Sequence, residues 1–108
     1  MAKEHIDTIF RIDDDGEVTA FFPKVPASGT DSHVVLCYAH VGQHGGAVYE
    51  YYASETRPCA PADWLDLYDE LCGLGYRPVV RQRWTYQMDR ARLERWAAMR
   101  GADQDGAE

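Results

Sequence analysis

Long apolar runs, paired cysteines and lysine are all scarce in this chain. No segment approaches the roughly 20 apolar residues that cross a bilayer, and the opening MAKEHIDTIF carries Lys3, Glu4 and Asp7 where a signal peptide needs an apolar stretch. Both absences lead us to expect a cytoplasmic protein with no membrane association. Cys37, Cys59 and Cys72 are an odd number at spacings of 22 and 13, which fits neither a disulfide framework nor a CxxC metal site and leaves buried free thiols. No lysine follows Lys24, and no internal repeat or low-complexity block breaks the chain. Nothing in the sequence calls for a cofactor.

What is present suffices for one core. With 108 residues, a second core would leave each half too small to bury much surface, while 45% hydrophobic and 12% aromatic content offsets the entropy of ordering. Residues 1–100 are expected to form a single domain, and 101–108, GADQDGAE, a disordered acidic tail.

Charge is unevenly laid out. Residues 1–76 sum to −9, residues 77–100 to +5 and residues 101–108 to −3, for a net −7. The acidic total argues against broad affinity for nucleic acid, because phosphate binding depends on cationic contacts that release counterions.

Period-two alternation in TIFRI (8–12) and EVTAFF (17–22), separated by DDDG, predicts a β-hairpin. Pro23 and Pro26 are expected to end its second strand and to open an exposed loop at ASGTDS. HVVLCYAHV (33–41), apolar on both faces, reads as a central strand, and GGAVYEYYAS as a fourth strand joined to it by the GQHGG turn. Pro61, Asp63 and the helical spacing of Trp64, Leu67, Tyr68, Leu71 and Leu74 predict a helix closed by Gly73 and Gly75, with Tyr76 folding back on its last turn. PVVRQRWTY reads as a fifth strand with arginines on one side. A last helix is expected with Asp89 as its N-cap and Leu93, Trp96 and Ala97 as a narrow apolar stripe, a surface that suits a homodimer. The expected fold class is thus α+β: a single domain with a mainly antiparallel sheet of about four to five strands and two helices, in the order ββββαβα.

Candidate functional residues fall into three groups. His33-x3-Cys37-x2-His40-x3-His44 carries zinc-binding residue types, but strand alternation sends His33 and Cys37 to one face and His40 to the other, so no metal site is expected. His40 and His44 beside Tyr38 can instead line a ligand site, and Cys37 inside a central strand is expected to be inert packing rather than a nucleophile. Arg81, Arg83, Arg90, Arg92 and Arg95, interleaved with Trp84, Tyr86 and Trp96, resemble a nucleic-acid patch. The alternative for these arginines is pairing with the acids of the first helix, Asp66, Asp69 and Glu70. The third group is acidic and aromatic: Asp13, Asp14, Asp15 and Glu17 at the hairpin tip, with Tyr49, Tyr51 and Tyr52 as anchors for a protein partner with a basic surface.

The pattern FFPKVP, then YAHVGQHG, then GLGY resembles, over roughly residues 8–100, a group of small proteins of bacteria, phages and mobile elements without an assigned activity. The resemblance implies a stand-alone accessory protein and transfers no catalytic residue. Small acidic proteins of such elements include inhibitors of host defence such as anti-CRISPR proteins. Three expectations follow, in order: a non-enzymatic acidic interaction module of that inhibitor kind, a small-molecule or enzymatic site at His40 and His44, and nucleic-acid binding through the arginine block.

Overall fold

The computed structural model describes residues 5–39 and 43–107, the side chains of 43 and 101–107 excepted. Its first element pair is the expected hairpin. In β1 (His5–Asp13) and β2 (Val18–Pro26), the Asp13 carboxylate accepts the backbone N–H groups of Asp15 and Glu17, each at 2.9 Å, and Gly16 takes a φ of 84°. An aspartate closing a turn on its own backbone and a glycine in the left-handed region are what a tight turn between twisted strands requires.

β3 (Val35–Ala39) pairs antiparallel with β2, and β4 (Gln43–Ala47) pairs antiparallel with β3, forming one end of the sheet. At the other end, two strands share the outer edge of β1. β5 (Thr56–Pro58) runs antiparallel to Arg11–Asp13, and β6 (Arg77–Val80) runs parallel to His5–Thr8.

Strand alternation gives this sheet two buried faces. Phe10, Val18, Ala20, Phe22 and Tyr38 meet Leu67 and Leu71 of α2 (Pro61–Gly73), where Phe10 stacks on Trp64 with ring centroids 4.7 Å apart. Ile9, Phe21 and Val35 point the other way. They are covered by Tyr52 of α1 (Tyr49–Glu55) and by Met88 of α3 (Tyr86–Ala107). A fully buried Phe or Ile side chain contributes roughly 1.5–3 kcal/mol, so the two layers together form the stabilising core.

Helix ends are set by identifiable groups. Pro61 opens α2 and the Asp63 carboxylate accepts the Ala60 N–H at 2.9 Å. At its far end Gly75 adopts a φ of 101°, its N–H reaching the Cys72 carbonyl, while the Tyr76 N–H reaches the Leu71 carbonyl, both at 3.0 Å. These paired bonds satisfy the orphan carbonyls and return Tyr76 to the sheet, stacked on Phe22 at 5.5 Å. α1 ends against Arg11, whose guanidinium donates to the carbonyls of Tyr52 and Thr56 and lies 4.3 Å over the Tyr52 ring.

Several expectations need correction. The fourth strand occupies Gln43–Ala47, most of the stretch expected as the GQHGG turn, and the tyrosine run after it is helical. Tyr49 and Tyr51 fit the alternation of a strand while Tyr49 and Tyr52 fit helical spacing, and Arg11 supplies the cap that selects the helix. β2 continues through Pro23 to Pro26, because the ladder with β3 shifts register between Phe22 and Pro26, where proline has no N–H to offer. The fifth strand expected over 78–86 is confined to Arg77–Val80: beyond Thr8 the edge of β1 belongs to β5. Thr85, not Asp89, caps α3, its hydroxyl and carbonyl both accepting the Met88 N–H. Among the described residues the order is therefore ββββαβαβα, with three helices and one parallel strand pair.

α3 also ties down the loop after β2. Arg92 donates to the carbonyls of Pro23 and Ser32, Trp96 to that of Ser28, and Arg100 to that of Gly29, all at 2.9–3.0 Å. The expected apolar stripe is consequently incomplete as a dimer face, with Trp96 turned onto this loop. The acidic tail at 101–108 falls where side chains lie outside the described residues. No helix among the described residues is long and apolar enough to cross a membrane.

Candidate functional site

The hairpin tip and α1 come together through one register. Asp13 pairs with Thr56, the residue that follows α1, so the carboxylates of 13–17 lie beside the last turn of that helix. Tyr51 reports the proximity: burial first, then the negative charges of Asp13, Glu17 and Glu55, push its phenol above the usual range. Tyr49 and Tyr51 are 49% and 39% exposed, and Glu50 and Glu55 extend the acidic surface along the helix. Tyr52 differs from its neighbours. It is 6% exposed, packed edge-on against Phe21 at 5.4 Å, and is a core residue rather than an anchor.

The four expected acids are not equivalent either. Asp13 holds the turn, Asp14 faces Arg57 at 3.3 Å with its side chain fully exposed, and Asp15 and Glu17 are exposed. Between α1 and the β3–β4 pair lies a cleft of about 530 Å³ walled by Val34, Cys37, Ala47, Val48 and Tyr51. An apolar cleft next to an acidic rim is thus available on this face.

The histidine stretch divides differently. His40 lies outside the described residues. His44 is on β4 opposite Tyr38, meets that ring edge-on at 4.6 Å, and its Nε2 is 3.1 Å from the Tyr76 hydroxyl. The Tyr38 hydroxyl donates to the Glu70 carboxylate, which removes Glu70 from the freely solvated face of α2. Cys37 pairs with Gly45, one position along from the Tyr38–His44 pair, so strand alternation sends its side chain to the face opposite His44, although both residues border the cleft beside α1. Burial pushes the Cys37 thiol up, against a smaller lowering effect of the Gly45 N–H, and a protonated thiol at neutral pH is a poor nucleophile. No group of three or more metal-ligating side chains occurs among the described residues.

The arginine block is dispersed. Arg92 is 3% exposed and bonds to Asp89 at 2.7 Å, so it belongs to the core rather than to a nucleic-acid surface. Arg81 pairs with Asp7 at 3.2 Å, and Arg90 faces Glu94 at 3.8 Å one turn along α3. Arg83 and Arg95 have no carboxylate partner among the described residues, and no arginine there pairs with Asp66 or Asp69. Sequence reasoning missed Tyr76 as a partner of His44, although its place directly after the helix-closing Gly75 was the available signal.

Fold and surface together define a small α+β domain with a sheet buried on both faces and an acidic, aromatic end. Compared with protein-family models, curated proteins and solved structures, the chain has no significant match in any of the three.

Proposed function

We propose that the protein is a non-enzymatic interaction module that binds a partner protein with a basic surface through its hairpin tip and α1. The pairing of Asp13 with Thr56 carries this reading, because it joins two exposed features far apart in sequence into one face. Asp14, Asp15, Glu17 and Glu55 form a charged rim, Tyr49 and Tyr51 the aromatic anchors, and the neighbouring apolar cleft receives a partner side chain. Charged rims steer association and aromatic residues seated beside apolar pockets carry most of the binding energy. An inhibitor of a host protein, the role suggested by the residue pattern, is one form such a module takes.

The test is capture of host proteins on the immobilised chain at rising salt, with bound proteins identified by mass spectrometry. A basic protein is expected to be retained by the wild type and by Arg90→Glu, reduced at least tenfold by Tyr51→Ala, and lost from the triple variant Asp14→Lys, Asp15→Lys, Glu17→Lys. Retention that is indifferent to all of these changes overturns the proposal.

A further inference from the structure

At the opposite end of β1 the charge reverses. A cleft of about 530 Å³ opens there, within the range of small-molecule sites, and four nitrogen-bearing side chains reach it from four different elements: His5 of β1, Lys24 of β2, His44 of β4 and Arg95 of α3. Among the described residues the one carboxylate in its wall is Asp7, already engaged by Lys24 at 2.8 Å and by Arg81 at 3.2 Å. Two cations on one carboxylate leave positive charge in excess. Arg95 and His5 have no hydrogen-bond or ion-pair partner among the described residues, so neither is committed to holding the fold.

The remainder of the wall is apolar. Ile6 and Val25 are half-buried, Leu74 is 50% exposed, and Tyr76 stands between them with its ring held by Phe22 and its hydroxyl by His44. A free inorganic ion would use the charges and ignore this wall.

We propose that this cleft binds a small organic anion, a phosphate or carboxylate carried on a flat apolar body, with Arg95, Lys24 and His5 on the anion and Tyr76, Leu74 and Val25 against the body. Of the described residues the cleft shares only His44 with the apolar cleft beside α1, and the proposal does not depend on the interaction reading above. A planar guanidinium pairs an oxyanion through two parallel bonds, and a desolvating apolar wall strengthens that pairing relative to water.

The experiment is titration of the full chain with phenyl phosphate, inorganic phosphate and benzyl alcohol, followed by calorimetry and by the NMR signals of His5, His44 and Tyr76. Saturable binding of phenyl phosphate is expected, at least tenfold tighter than inorganic phosphate, with no saturation by benzyl alcohol. Arg95→Glu should weaken it at least tenfold. Arg90→Glu makes the same change in net charge elsewhere on α3 and should leave it within twofold, as should the triple hairpin variant. Absence of saturation, equal affinity for inorganic phosphate, or equal weakening by Arg90→Glu and Arg95→Glu each overturns the proposal. So does a single-stranded oligonucleotide that binds tighter than phenyl phosphate and is displaced by Arg83→Glu, which would make this face a polymer groove.

Discussion

The two ends of β1 are built from the same strand and differ in almost everything else. Its nine residues span roughly 27 Å, more than three times the Debye length of about 8 Å at physiological salt, so charges at one end are screened from the other. The end at Asp13 is acidic, held by a turn and a seven-residue helix, and faces outward with tyrosines. The end at His5 is concave and carries Lys24 and Arg95, the latter reaching it from α3. A chain with net charge −7 can therefore present a local basic cleft, which the total charge conceals.

That comparison can be broken by mutation. The largest effect is expected from Tyr52→Ala, which empties a core position shared by Phe21 and Arg11 and should cost about 3–5 kcal/mol in urea unfolding. Tyr51→Ala, one residue away, should stay within about 0.5 kcal/mol and change partner binding instead. If the two variants destabilise equally, the separation of anchor from core is wrong. Next comes Arg92→Met, which leaves the Pro23 and Ser32 carbonyls without their donor and should cost about 2–3 kcal/mol, loosening the loop at 27–32 in hydrogen exchange.

Smaller effects sharpen the contrast. Burial alone would raise the Asp7 carboxyl, but its bonds from Lys24 and Arg81 outweigh burial and hold it below 3.8. A lowered folded-state value means the stabilisation is complete above the unfolded value and disappears as pH falls through the folded one. Asp7→Asn should therefore lose less than about 1 kcal/mol at pH 7 and converge with the wild type in strong acid, as measured by denaturation across pH. The smallest effect is expected from charge reversal at Asp14, Asp15 and Glu17, within about 0.5 kcal/mol in stability because all three are exposed, yet decisive for a basic partner. Asp13 is omitted from that variant because its carboxylate closes the turn.

Where a local signal was unambiguous, the sequence was sufficient. The DDDG turn, the Pro61 start and the Gly75 closure of α2 all follow from residues whose backbone preferences have no competitor. The tyrosine run was not legible, because seven residues satisfy two periods and the choice is made by Arg11, some forty residues earlier in the chain. The limit on β6 was equally hidden, since it depends on β5 already occupying the next stretch of β1. At the acidic end the residue types were legible, whereas their division into turn-former, core ring and exposed anchor required the register. The basic cleft left no local trace, because its nitrogen-bearing side chains come from four separate elements.

The shared edge of β1 also has a consequence for how the chain folds. Residues 5–8 find their parallel partner only at 77–80, so β1, synthesised well before β6, is among the last strands to be completed. Closing so long a loop costs chain entropy before any pairing is gained, which slows folding relative to a hairpin-only sheet. Until α2 and β6 have arrived, half of that edge stands open as a row of unpaired backbone groups. The nascent protein is most exposed to wrong strand pairing in that interval, and the arrival of Arg77–Val80 ends it.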